Sequence, residues 1–317
     1  MPMYPYNPKK GQTIQSDAPA TPLERVFIGR FHLTAEQAVA TDVDGILPET
    51  ELTTAKSITT GFNNPPCPRA LIYDGTAAGV TGNVKVYGTN IKDEAITETK
   101  ALNETTAVAG VVAFKTITKI DLPAKVHTKA KQSFTKQVTQ GPITKSGNVT
   151  FSMAGLALGE GSPDAVVVAV VKDDTAAVTA GKIIAALNTS TKFKAAYLAS
   201  LSGTDKVKVE ALVEAANDST MKATFADTDG TGVTMGADDD AVAGVAPDLV
   251  FIGFGDIIGL PTMTKYKKVI QARLDGVVET NAPTEVADAD EIEKNTLVLN
   301  SALNGKEVDI LMYLDNE

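Results

Sequence analysis

The residues able to do chemistry in this chain of 317 residues are few, and carboxylates come closest to clustering. Asp42, Asp44 and Gly45 open like a calcium loop, which needs oxygen ligands at fixed offsets and a Glu at the twelfth position. Counted from Asp42, that position holds Thr53, so turn chemistry explains the stretch better. Asp227, Asp229 and Gly230 repeat the idea, with Asp238, Asp239 and Asp240 close behind. These carboxylates could gather a hard cation or simply face water, and an acidic, flexible linker is the simpler reading.

The nitrogen and sulfur ligands are sparser still. His32 and His127 are the only histidines, and Cys67, between two prolines, is the only cysteine. Zinc wants about four ligands at characteristic spacing, and this set does not offer them. Cys67 sits in no nucleophile motif. The expected state is a buried apolar thiol and two satisfied or solvated imidazoles. Gly253 and Gly255 begin a phosphate-loop pattern, but Ile258 stands where the third glycine belongs, so "GFGDIIG" reads as a strand whose glycines admit a close backbone. Glu94 and Glu98 share one face of a strand, whereas a glycosidase places two carboxylates across a cleft. No catalytic, cofactor-binding or metal-ligating residue is assigned, no cofactor is expected, and the chain reads as a non-enzyme.

The elements that would have to position such groups are mostly strands. Apolar residues make up 43% and aromatics 5%, with no Trp, so the core must be built from small and β-branched side chains. The formal net charge of -10 and the lack of a long Lys/Arg stripe argue against direct nucleic-acid binding. The densest basic stretches, 125–136 and 265–273, read as solvated faces. No apolar run approaches the ~18–20 residues of a membrane span, so no membrane partner is expected. With one cysteine there is no intrachain disulfide. Residues 1–22, rich in Pro and polar types, read as an extended N-terminal arm.

Three textures follow the arm. Residues 23–140 carry strands at 24–33, 69–74, 82–103 and 109–123, with loops at 42–51 and 63–69. In 109–123 Phe114, Ile117 and Ile120 do not alternate, which a bulge or a strand bend would reconcile. Residues 141–240 hold an α+β series: strands at 147–155 and 164–172, a helix over 173–190 capped by Asp174 or Thr175, then further strands and an acidic exit linker over 227–244. Residues 241–317 return to strands, with an Asn304–Gly305 hairpin signal. The simplest account is mainly β: a split β-sandwich or barrel-like domain (23–140 plus 241–317) with an inserted small α+β module (141–240).

The stretch 82–123 is the most informative. Val84, Val86, Gly88, Thr89, Ile96, Thr97, Glu98 and Thr99, followed by Ala113, Phe114, Lys115, Thr116, Ile117, Thr118 and Ile120, resemble a hairpin and follow-on strand of virion structural proteins of tailed bacteriophages. Asn90 replaces the usual Asp of that pattern, and Asp93 stands where Gly is common. The closing segments "GFGDIIGLP" and "EKNTLVLNSALNGKEVDILMYL" resemble the end of such proteins, and the middle module is similar to small modules of tail and capsid-fibre proteins. The resemblance implies a virion location, a structural role and no catalytic residue. It implies a capsid-associated decoration or head-surface protein first, with a tail-tube or tail-associated protein as the alternative. Partners would be other virion proteins, the major capsid protein foremost, and further copies of the chain. A carbohydrate- or host-binding module is the reading from a different class, with Tyr4, Tyr6 and Tyr197 as its aromatic candidates.

Overall fold

A computed structural model describes residues 26–139, 142–159, 164–261, 269–288 and 290–315. The proposed arm, residues 1–22, and residues 265–268 of the basic stretch 265–273 lie outside the described residues. The protein is mainly β, with antiparallel pairing throughout the described sheets. The chain divides into two compact units, one ending at Val126 and resuming at Asp248, the other spanning His127–Pro247.

Among the described residues the first unit contains three sheets. Val26–Leu33, Val308–Asp315, Val269–Leu274 and Val277–Val278 form the terminal sheet, in that order. A six-stranded sheet centres on Leu249–Gly259, which pairs with Arg69–Gly75, Asp42–Glu51 and Thr296–Val298. A third sheet runs Lys56–Ile58, Thr116–Leu122, Thr81–Thr89, Ala95–Asn103. Val84, Val86, Ile96 and Ile120 from this third sheet share one core with Leu71, Tyr73, Phe114 and Ile252 from the six-stranded sheet. A second core joins Ile258 and Leu297 to Val308, Ile310 and Met312 of the terminal sheet.

The irregular run 109–123 is two strands, Val108–Phe114 and Thr116–Leu122, which belong to different sheets. The chain bends at Lys115, whose N–H bonds the carbonyl of Thr89. The expected bend therefore accounts for the broken alternation.

Residues 42–51 form a ten-residue strand rather than the expected loop. Its pairing with Leu249–Gly259 shifts register twice, and the adjacent Ile46 and Leu47 are both buried. Such irregular strands lack the period-2 signature that marks a strand in sequence. Asn304 and Gly305 do adopt positive φ, 45° and 71°. The strands that flank them, Thr296–Val298 and Val308–Asp315, lie in different sheets, so the turn joins two layers instead of closing a hairpin.

In the second unit the helix Ala176–Thr189 packs Ala180, Ile183 and Leu187 into a core with Val149, Phe151, Val168 and Val207. Thr175 is its N-cap, accepting from the Val178 N–H. Asp174 instead accepts from Val171 and pairs with Lys182. A three-stranded sheet, Asp164–Val170, Gly147–Ala154, Lys222–Ala226, lies in this unit beside a four-stranded one.

Two expectations fail in that four-stranded sheet, ordered Tyr197–Ser202, Lys206–Ala211, Ser133–Val138, Met235–Val242. Residues 127–139 and 241–247 belong to this unit and not to the surrounding domain, because Ser133–Val138 is an inner strand with Phe134 in the core and Met235–Val242 pairs with it. The supposed acidic linker contributes the edge strand Met235–Val242, whose carboxylates meet Lys136 of the adjacent strand and Lys206 of the strand beyond it. Propensity opposes Asp in strands, but an edge tolerates charge and is protected by it.

Candidate functional site

The hairpin is built by full antiparallel register from Thr81↔Asn103 to Thr89↔Ala95. Its polar tip is closed by Asn90, which is 1% exposed. The Asn90 Oδ1 accepts from the N–H groups of Lys92 and Glu94, at 2.9 and 3.0 Å, and its Nδ2 donates to a Glu94 carboxylate oxygen at 2.8 Å. These bonds fix the turn, as Asx turns do, and the Nδ2 also reaches a Glu293 carboxylate oxygen at 3.4 Å. Asp93 takes φ 66°, a conformation glycine adopts without cost, and its carboxylate pairs with Lys115 at 2.7 Å. Asn90 and Asp93 are therefore both taken up by structural bonds. Gly88 admits a close neighbouring backbone: a Cβ there would lie 2.0 Å from the carbonyl oxygen of Thr116 on the neighbouring strand.

The sequence places Glu98 on the same strand face as Glu94. Glu94 is exposed, but Glu98 is 5% exposed. One Glu98 oxygen accepts from the Tyr73 hydroxyl at 2.9 Å and the other from the Val111 N–H at 2.7 Å, with Lys100 at 3.6 Å. Burial, and then the adjacent Glu98 charge, push the Tyr73 hydroxyl well above its ordinary pKa. Val111 belongs to Val108–Phe114, the last strand of the six-stranded sheet. Glu98 thus satisfies a donor of that strand and ties the hairpin to the opposing layer. The alternation that places Ile96 inward also places Glu98 inward, which is the signal that could have revealed it.

Arg69 is fully buried. It donates to the carbonyls of Gly255 and Val39, at 2.6 and 2.9 Å, and to Asp256 at 3.1 Å, and it stacks 4.6 Å above the Phe254 ring. Burial raises the neighbouring Cys67 thiol to about 11, with Arg69 opposing the shift. A thiol so held is protonated and inert near neutral pH. Gly253 accommodates the close backbone expected of it, since a Cβ there would lie 1.9 Å from the carbonyl oxygen of Asp42.

The acidic groups resolve into ordinary structure. The Asp42 carboxylate accepts from Asp44 N–H within a strand. Asp227 accepts from the N–H groups of Thr231 and Gly232, and Asp229 from that of Asn148. Asp238 pairs with Lys136, and Asp239 and Asp240 with Lys206. The bonds from Lys206 and Thr135 hold the Asp240 carboxyl below its ordinary pKa. His127 is exposed. His32 is brought beside Glu307 and Asp309, a grouping no sequence spacing reveals. Tyr197 is buried, so it offers no sugar-stacking face, and Tyr4 and Tyr6 lie outside the described residues.

The exposed apolar surface is the remaining feature. Among the described residues Asp164–Val170 is the terminal strand of its sheet, pairing only with Gly147–Ala154. Val166, Val168 and Val170 face the core side, while Ala165, Val167 and Ala169, followed by Val171, are exposed. Val167 is 64% and Val171 54% exposed. Among the described residues no helix is long and apolar enough to cross a membrane.

No family model and no curated protein matches the chain. Solved structures with some likeness include the D2–D3 domains of the flagellar cap protein FliD from Escherichia coli, at a TM-score of 0.26 and 13% identity over 84% of this chain and 100% of that one. The D1–D2–D3 form of the same protein gives 0.25 and 12%, over 87% of this chain and 60% of that one. Overlays this loose carry nothing about fold or function.

Proposed function

We propose that the chain is a structural component of a tailed-bacteriophage particle, a capsid-associated decoration or head-surface protein that works through assembly contacts. The observation that carries the assembly reading is the edge strand Asp164–Val170. Its outward row of Ala165, Val167 and Ala169 bears no charge, whereas edge strands of isolated proteins are usually blunted by charge or proline. A neighbouring subunit that covers Val167 and Val171 would contribute ~1.5–3 kcal/mol per side chain. Repetition over a symmetric particle multiplies contacts of that size. The hairpin Thr81–Asn103 supports the phage assignment, since its residues carry the resemblance and Asn90 and Asp93 at its tip are taken up by structural bonds.

A tail-tube reading draws on the same hairpin. Its strands are nine residues each, long enough to join a continuous ring of strands. Electron microscopy separates the two: rings or tubes favour the tail, and discrete copies docked on assembled capsids favour decoration. Glycan hydrolysis by the purified chain would overturn the structural reading. Deleting residues 1–22 tests whether the arm takes part, since attachment unchanged by the deletion removes it from the mechanism.

A further inference from the structure

Three ligand atoms converge on one face of the terminal sheet. Pairing of Val26–Leu33 with Val308–Asp315 sets His32 directly opposite Asp309, and Glu307 lies two residues before Asp309. The His32 Nδ1 is 3.0 Å from the Asp309 Oδ1 and 3.5 Å from the Glu307 Oε1. All three atoms lie within 4.8 Å of one another. A tetrahedral ion with bonds of ~2.0–2.2 Å needs its ligand atoms about 3.4 Å apart. Both separations from the imidazole nitrogen are close to that edge length before any ion is added.

The donor set narrows the ion. One imidazole and two carboxylates suit Zn²⁺, Co²⁺ or Ni²⁺, whereas Ca²⁺ and Mg²⁺ take oxygen ligands. We propose that His32, Glu307 and Asp309 bind a zinc-class divalent cation that clips the first described strand to the last. The residual coordination positions face solvent, open to water or to a ligand from a neighbouring copy. Arg30 is the built-in competitor, because its Nε donates to the same Asp309 oxygen at 2.6 Å. Removing that guanidinium frees the oxygen and strengthens metal binding. A plain network of cross-strand ion pairs would bind no metal with or without Arg30.

The test uses the untagged chain, stripped by a chelator and titrated with Co²⁺, read by visible absorption and calorimetry. One saturable equivalent is expected, with a rise in Tm on loading. Affinity should fall by at least ~10-fold in His32→Ala and in Glu307→Ala, stay unchanged in His127→Ala, and rise in Arg30→Gln. The two loss variants are independent exposed substitutions, each checked for native circular dichroism. Absence of saturable Co²⁺ binding, or binding that survives both losses, overturns the proposal.

Discussion

The Tyr73 hydroxyl donates a 2.9 Å hydrogen bond to Glu98, and both side chains are almost wholly buried. Glu98 passes this anchorage to Val111 through its other oxygen. Two layers of the first unit are thereby held by one carboxylate at a point where backbone pairing does not join them. Tyr73→Phe keeps the ring and removes the donor, which leaves a buried acceptor short of one partner. Urea unfolding should show a loss of about 1–3 kcal/mol. A change within error would mean that water replaces the hydroxyl.

The same burial sets a pH dependence. Tyr73 and Cys67 are both held protonated by the fold, so each has a higher pKa folded than unfolded. Their stabilising effect is full below the unfolded values and is lost as pH rises. For Cys67 the window runs from 9.0 to about 11. Cys67→Ala should flatten the alkaline fall in urea midpoint across that window, and Tyr73→Phe should flatten it at and above pH 10.0, the ordinary tyrosine value. A native maleimide reaction at neutral pH as fast as that of a free thiol would contradict the burial of Cys67.

Arg69 satisfies two backbone carbonyls and one carboxylate at once. Arg69→Met keeps the stem and removes every one of those bonds. The expected loss is about 3 kcal/mol or more, measured by chemical denaturation.

Asp93 occupies a glycine-like conformation at the hairpin tip. Its pair with Lys115 is largely exposed and worth little. Asp93→Gly should therefore be neutral or stabilising by up to about 1 kcal/mol, and Asp93→Val destabilising. Thermal midpoints of the two variants check the order.

Val167→Asp places a charge in the middle of the exposed apolar edge. Because Val167 is 64% exposed, stability should change by no more than about 0.5 kcal/mol. Self-association or particle attachment should fall sharply, as sedimentation and pull-down on assembled particles would show. Unchanged association would remove this strand from the interface.

Much of the β architecture was legible because its strands obey simple periodicity. Val84–Thr89 alternates buried and half-buried positions, and the Ala180, Ile183 and Leu187 spacing marked the helix. What escaped has physical causes. Asp42–Glu51 is broken by register shifts, and Met235–Val242 relies on lysines from other strands to accept its acids. The Asn304–Gly305 turn was readable, but its partners were not, because pairing is a tertiary outcome. The polar groups failed in the same way. Glu98 meets Tyr73, and His32 meets Asp309, across separations that no local spacing encodes.

Electron microscopy of the purified chain, alone and with assembled phage particles, tests the assembly role most directly. The account predicts repeated copies at symmetry-related positions on the capsid surface, lost with Val167→Asp. A chain that stays monomeric and adds no density to head or tail would contradict it.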